Sequence, residues 1–374
     1  MNSLERKRLR YLRRKEIRKK KIIERSNKYA SLEKTFCFHK VMYYANKCCN
    51  GVKWKKSTTN FRLHKFTIVC NTCYNIKNNK YKVGKTYKFK INERGKIRNI
   101  DAPHIKDRLV HKVISNEILD PLYISHLIYD NGASQKNRKF IFALYRLKDN
   151  LYKYYRKYGL NGYIVLIDYS NYFFNCSHEV IHDIHKKYIK NDDVIKVIED
   201  YLFIDKGIAL GVEIAQKEAS IIPNTLDHFV RNKCFIERYM DDSIYIINDY
   251  NSALNILNKY INKAKELGII INLNKTKIVS INNYFKYCKW HYKIFNSGKI
   301  VLVPNKSTIY RQRRRLRKMY KLYNMNKLVY ENIDISKISF CAYLSIGNSY
   351  RYIKYLNNRF NRMIKEKWTL STII

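Results

Sequence analysis

An α+β fold follows from three features of this sequence. Residues 162–168 form an almost unbroken apolar run ending in an acid, the pattern of a central strand buried on both faces. Two runs rich in β-branched and aromatic residues, 234–236 and 244–247, flank Arg238-Tyr239-Met240-Asp241-Asp242 and predict a β-hairpin with adjacent carboxylates at its tip. Stretches of helical periodicity, dense in Lys and Arg, open and close the chain.

Taken in order, residues 1–28 hold thirteen Lys or Arg against three Glu, with Leu4, Leu9, Leu12, Ile17 and Ile22 interspersed and no Gly or Pro. A basic helical arm is expected, either a solvated tail or an extension that orders on RNA. Residues 33–50 and 59–76 read as two more amphipathic helices joined by the basic linker 51–56. From Tyr87 the pattern alternates through Phe89 and Ile91, turns at Glu93-Arg94-Gly95, and resumes at Ile97 and Ile100, which predicts a hairpin with Lys96 and Arg98 on its open face. Such cations can hold a triphosphate while charge develops on it; a solvated polar face is the alternative. Pro103 ends the hairpin, and a helix is predicted from 106 to about 122. Pro223 must bend or restart the helix near Gln216. Past Val303, a turn at 304–307 leads into a helix carrying Arg311, Arg313, Arg314, Arg315, Arg317 and Lys318, with further helices expected over 336–344 and 349–364.

Composition narrows the function. The 75 Lys and Arg against 30 Asp and Glu leave a net charge of +45, which calls for a polyanion, and 14% aromatic residues can stack bases while the cations neutralise phosphates. No apolar run reaches the roughly 18 residues of a spanning helix, so a soluble, cytoplasmic protein with no membrane partner is expected. Cys70 and Cys73 have one zinc-like spacing but no well-spaced second pair, and they fall on the apolar face of a predicted helix, so reduced thiols are expected rather than a metal site.

The chemistry resides in three acids. Asp168 ends the buried strand, and Asp241 and Asp242 tip the hairpin; hard carboxylate oxygens suit two Mg²⁺ ions, with Mn²⁺ a possible substitute, that clamp the attacking and leaving oxygens of a phosphoryl transfer. Asp-Asp as plain turn chemistry is the competing account, which the third acid weakens. A strand ending in Asp beside a hairpin tipped with Asp-Asp resembles the palm of a nucleic-acid polymerase.

Tyr239-Met240-Asp241-Asp242 resembles the catalytic string of reverse transcriptases, and the resemblance extends over residues 96–292. Arg98-Asn99-Ile100-Asp101-Ala102-Pro103 with Asp107-Arg108-Leu109-Val110 is similar to the fingers motif of prokaryotic members. Residues 128–134 are similar to the next loop and 168–174 to the first palm motif. Residues 207–216 resemble the motif that supports template and nucleotide, with Ala215 where Ser is usual; Leu273-Asn274-Lys275-Thr276 resembles the Lys-Thr motif and 285–290 the primer grip. The resemblance implies a right-hand fold with a basic N-terminal extension (1–56), fingers (57–160), palm (161–283), and primer grip with helical thumb (284–374). It implies that Asp168, Asp241 and Asp242 bind metal, that Phe173 is the steric gate against a ribose 2′-hydroxyl, that Lys275 is a general acid for the pyrophosphate, that Gly211 and Gln216 support the nascent pair and template, and that Tyr239 adjoins the substrate. Tyr172 and Phe174 are expected in the core.

The implied activity is RNA-directed DNA synthesis from dNTPs on a dedicated non-coding RNA, in a retron-like, diversity-generating, intron-like or phage-defence setting. A template-independent or protein-primed polymerase, and a non-catalytic RNA-binding protein of the same fold, are the alternatives. No nuclease pattern or C-terminal Cys pairs follow, so a complete intron-mobility protein is not expected.

Overall fold

The computed structural model describes residues 2–93 and 95–371, with side chains except those of Lys96 and residues 363–371. The predicted turn residue Arg94 and the side chain of Lys96 therefore lie outside the described residues. Helices α1 (Ser3–Tyr29), α2 (Leu32–Thr35), α3 (Phe38–Cys48), α4 (Lys56–Leu63) and α5 (Lys65–Lys77) lead to the hairpin of β1 (Tyr87–Glu93) and β2 (Lys96–Ala102). Next come α6 (Ile105–Ile114), a π-helical turn over Ser115–Leu119, α7 (Asp120–Tyr123) and α8 (Phe140–Tyr158). Strand β3 (Tyr163–Ile167) precedes α9 (Tyr172–Asn175), α10 (His178–Tyr188), α11 (Asp192–Leu202), α12 (Glu213–Ile221) and α13 (Asn224–Arg231). Strands β4 (Phe235–Tyr239) and β5 (Asp242–Ile247), α14 (Tyr250–Glu266) and β6 (Lys277–Ser280) follow. The chain ends in β7 (Phe285–Tyr287), β8 (Trp290–Ile294), β9 (Ile300–Pro304), α15 (Lys306–Asn324), α16 (Tyr330–Leu344) and α17 (Tyr350–Ser371).

The central sheet is antiparallel in the order β4-β5-β3-β6. Both of its faces are covered, which is why β3 and β5 read as continuous apolar runs: Val165, Ile167, Tyr245 and Ile247 pack into one core with α10–α14, while Ile164, Ile244 and Ile246 pack into a second with α8 and the β7-β8-β9 sheet. A smaller third core of Phe340, Leu344 and Leu356 joins α16 and α17. No described helix is long and apolar enough to cross a membrane.

Several boundaries differ from expectation for local reasons. The helix predicted over 33–50 breaks at Phe36, whose ring is fully buried, and the one over 59–76 breaks at His64. Within α5, Cys73 lies on the buried face with Val69 and Ile76, and Cys70 is only half-buried. Helix α16 starts at Tyr330, six residues before the predicted Ser336, because Val329 begins it with no side-chain cap to signal the start. Its apolar residues also point both ways, with Ile333 and Phe340 buried but Ile335 and Ile338 exposed. Phe174 corrects an expectation outright: it is 52% exposed, while Tyr172 is buried and donates its hydroxyl to Ala219 O.

Candidate active site

The polar end of β3 and the tip of β4-β5 open onto a cavity of about 870 Å³, closed on the other side by β1-β2. Asp168, Asp241, Phe173, Lys275 and Arg98 all line it. Antiparallel pairing of β3 with β5, with Ile167 opposite Ser243, brings Asp168 to the hairpin tip although more than seventy residues separate them. Lys275 arrives by the other neighbour: β6 pairs Lys277 with Leu166, the 272–275 turn precedes it, and Lys275 Nζ lies 2.9 Å from Asp168 Oδ2.

The hairpin turn is Met240-Asp241, closed by the Tyr239–Asp242 pair. Met240 has φ +57°, a left-handed conformation that costs a non-glycine residue free energy and persists only where neighbours impose it. The imposing group is Arg238, absent from the sequence-based candidates. Its fully buried guanidinium donates from Nη1 to Met240 O (3.0 Å), from Nη2 to Ser220 O (2.7 Å), and from Nε and Nη2 to the buried Asp227 carboxylate (2.8–2.9 Å). Its local sequence did not single it out, because the neighbouring Glu237 in β4 is charged as well. Cys288, at the turn between β7 and β8, was not singled out within 285–290; its thiol lies close enough to Asp242 to favour the charged carboxylate.

The acids repel one another. Burial, Asp241 and Asp168 push Asp242 up to about 6, with Cys288 and Lys286 opposing, and loss of surrounding water together with Asp168 raises Asp241. Three carboxylates held against their own repulsion form an all-oxygen donor set, which fits hard divalent cations. Among the described residues no trio of acid, His or Cys side chains yet converges into a chelating cluster, and Asp168 is paired with Lys275 instead.

Other candidates are placed differently. Phe173 is half-buried on the cavity wall beside the exposed Phe174, whose ring lies 5.0 Å from Lys206 Nζ. Arg98 faces the cavity and pairs with Glu93 at 3.2 Å. Gln216 and Gly211 line a separate cavity of about 450 Å³ with Arg108 and Lys136. At Gly211 (φ +118°) a Cβ would stand 2.9 Å from Asp101 O, so the close approach this glycine permits is to β2. Ala215 is fully buried. Tyr239 packs edge-on against Phe140 rather than lining the cavity.

No curated protein matches the chain in sequence. Solved structures with some similarity include telomerase from Candida albicans with a fragment of telomeric RNA (12% identity, TM-score 0.48, 76% of this chain and 55% of that one). Apo telomerase from Candida tropicalis (12%, 0.47, 76% and 61%) and an RNA-dependent RNA polymerase of a human picobirnavirus (10%, 0.37, 56% and 44%) are also similar. The chain spans less than two thirds of the length of each. A family model described as reverse transcriptase (RNA-dependent DNA polymerase) matches residues 76–310, the interval holding the hairpins, both cavities and all three acids. The chain therefore has a right-hand polymerase fold and belongs to the reverse transcriptase (RNA-dependent DNA polymerase) family.

Proposed function

We propose that the protein is an RNA-directed DNA polymerase in which a primer 3′-hydroxyl attacks the α-phosphorus of a dNTP and pyrophosphate leaves. The observation that carries this reading is the convergence of Asp168, Asp241, Phe173 and Lys275 on one cavity in a chain of this family. Asp168, Asp241 and Asp242 would hold two Mg²⁺, with Mn²⁺ the alternative, which when bound lower the pKa of the primer hydroxyl and neutralise the triphosphate.

The chain's own groups supply the rest. Arg98 faces the triphosphate side of the cavity and offsets charge there, and Lys96, two residues earlier in β2, is assigned the same role. Phe173 sets its ring against the sugar, and Lys275 Nζ carries a proton available to the departing pyrophosphate oxygen. Gln216 and Gly211, in the neighbouring cavity, serve the template strand and the seating of β2. Tyr239 acts on the substrate only through the hairpin it anchors. The division into basic extension, fingers, palm and thumb near residues 56, 160 and 283 is part of the same proposal.

Helix α1 supports a dedicated RNA partner. It is anchored near its C-terminal end, where Ser26 Oγ accepts from Lys190 N and Arg25 bonds Ser125, while residues 3–21 are exposed on every side. This stretch, dense in Lys and Arg with Leu4, Leu9, Leu12 and Ile17 exposed among them, buries no face of its own and is suited to a polyanion. The motif order favours a prokaryotic lineage of the retron, diversity-generating or phage-defence kind.

The test is to purify the protein with its bound nucleic acid, sequence that nucleic acid, and add Mg²⁺ and labelled dNTPs alongside an Asp241→Ala/Asp242→Ala control. DNA copied from one co-purified RNA, and absent from the control, is expected. Low-complexity DNA matching no bound RNA would replace this reading with template-independent synthesis, and no DNA would replace it with an RNA-binding role.

A further inference from the structure

A third cavity, of about 430 Å³, lies at the opposite end of the central sheet from the acids, between α8 and the start of β4. Three residues of β4, Glu237 to Tyr239, separate its lining from the hairpin tip, roughly 10 Å at strand rise. Arg146, Lys153 and Lys157 come from one face of α8, spaced seven and four residues apart and so aligned along the helix. Arg231 and Lys233, at the end of α13 and the turn into β4, form the facing wall.

One acid lines this groove, Asp130, and it is already neutralised. Arg146 Nε donates to it at 2.6 Å and the buried Asn150 amide at 3.1 Å. Lys153, Lys157, Arg231 and Lys233 form no ion pair among the described residues, so four positive charges face each other across a cleft. The general basicity of the chain does not account for this: the catalytic cavity sets five cations against four acids, whereas the groove sets five against one. Like charges gathered without counter-charge cost free energy that an anion would recover.

We propose that this groove binds the phosphate backbone of RNA outside the catalytic cleft, holding a part of the template RNA that is not being copied. Cations distributed along a helical turn on one wall and repeated on the other suit successive phosphates of a strand better than the clustered phosphates of one nucleotide. The proposal rests on the polymerase reading for the identity of the RNA, but not for the binding itself.

The test compares Lys153→Glu/Lys157→Glu with an equal charge reversal elsewhere, Lys196→Glu/Lys259→Glu, on exposed positions of α11 and α14. All four lysines are exposed, and equal melting temperatures for the two variants and the unaltered protein check that each folds. The probe is a labelled RNA hairpin with a single-stranded tail, titrated at several salt concentrations, with inorganic phosphate and dATP as separate competitors. The groove variant should lose about tenfold or more in affinity and about 1.4 in log-log salt slope, two single-strand phosphates at roughly 0.7 each. The control should lose less than half of that, and extension of a saturating, pre-annealed primer-template should keep its kcat in both. Equal losses in the two variants would overturn the proposal, as would a groove variant that loses only phosphate or dATP binding. If no protein makes DNA yet the groove variant alone loses the hairpin, the polymerase reading fails and the groove stands.

Discussion

Replacing Arg238 with methionine removes the cation paired with a fully buried carboxylate. Asp227 is already raised by burial with the guanidinium in place. Without it the acid must be buried as a charge or take up a proton. At pH 7 protonation is the cheaper course, and holding an acid of ordinary pKa near 3.9 protonated three units above that value costs about 4 kcal/mol. Hydrogen bonds removed from Met240 O and Ser220 O add about 1–3 kcal/mol independent of pH. The total is at most about 5–7 kcal/mol, because the raised Asp227 already costs the intact protein part of the first contribution, and the usual 3–5 kcal/mol for breaking a buried pair is the loss expected.

The sign of the pH dependence follows from the raised folded-state pKa of the variant. Its folded state binds a proton that its unfolded state lacks, so the deficit is largest near neutrality and shrinks as pH falls towards 4, to about 1.5 kcal/mol of protonation cost at pH 5. Urea unfolding followed by circular dichroism at pH 7 and pH 5 measures both values. Asp227→Leu/Arg238→Met removes the stranded acid and should recover most of the loss. A deficit below about 1 kcal/mol, or one equal at the two pH values, would refute the assignment of a buried, paired charge.

The remaining predictions concern the cavity and the arm. Asp242, pushed up to about 6, destabilises the metal-free fold as pH rises from about 4 through 6; Asp242→Asn should therefore stabilise it at pH 7.5 by roughly 1–3 kcal/mol and not at pH 4, measured by thermal melts in chelator, while DNA synthesis falls about a hundredfold or more. For the same reason Mn²⁺ affinity, followed by calorimetry, should drop as pH falls below about 6. Phe173→Ala should narrow the preference for dNTPs over rNTPs at least about tenfold in kcat/KM, and an unchanged ratio removes Phe173 from the gate. Deleting residues 1–21, which spares the anchored Ser26 region, should flatten the salt dependence of RNA binding by about 0.7 for each single-strand phosphate that the arm neutralises; an unaltered slope would mean that the arm binds no RNA.

The strands were legible from the sequence because their pattern is local. Residues 163–167 and 235–247 had the apolar runs of covered strands around a polar turn, and Asp168, Asp241 and Asp242 stood at the positions where strands end. The resemblance added their convergence and the candidate roles of Phe173 and Lys275. Helix limits were legible to within two residues where a polar cap lay in the expected turn, as with Asn305 in 304–307, and illegible at Val329, where no side chain caps the start.

What only the tertiary structure decided depends on residues distant in sequence. Arg238 reads as one more surface cation in a chain of 75 Lys and Arg, and only the packing of α12 and α13 against β4 makes it a buried clamp on the Met240 turn. Phe174, next to a residue that is half-buried, faces solvent because one helical step rotates its side chain about 100° from Phe173. The groove along α8 has the same origin: its cations are separated by up to 87 positions in the chain, and their imbalance with Asp130 exists only once β4 packs beside the helix. Periodicity reports which side of an element is covered, while the identity of the opposing charge is settled by the fold.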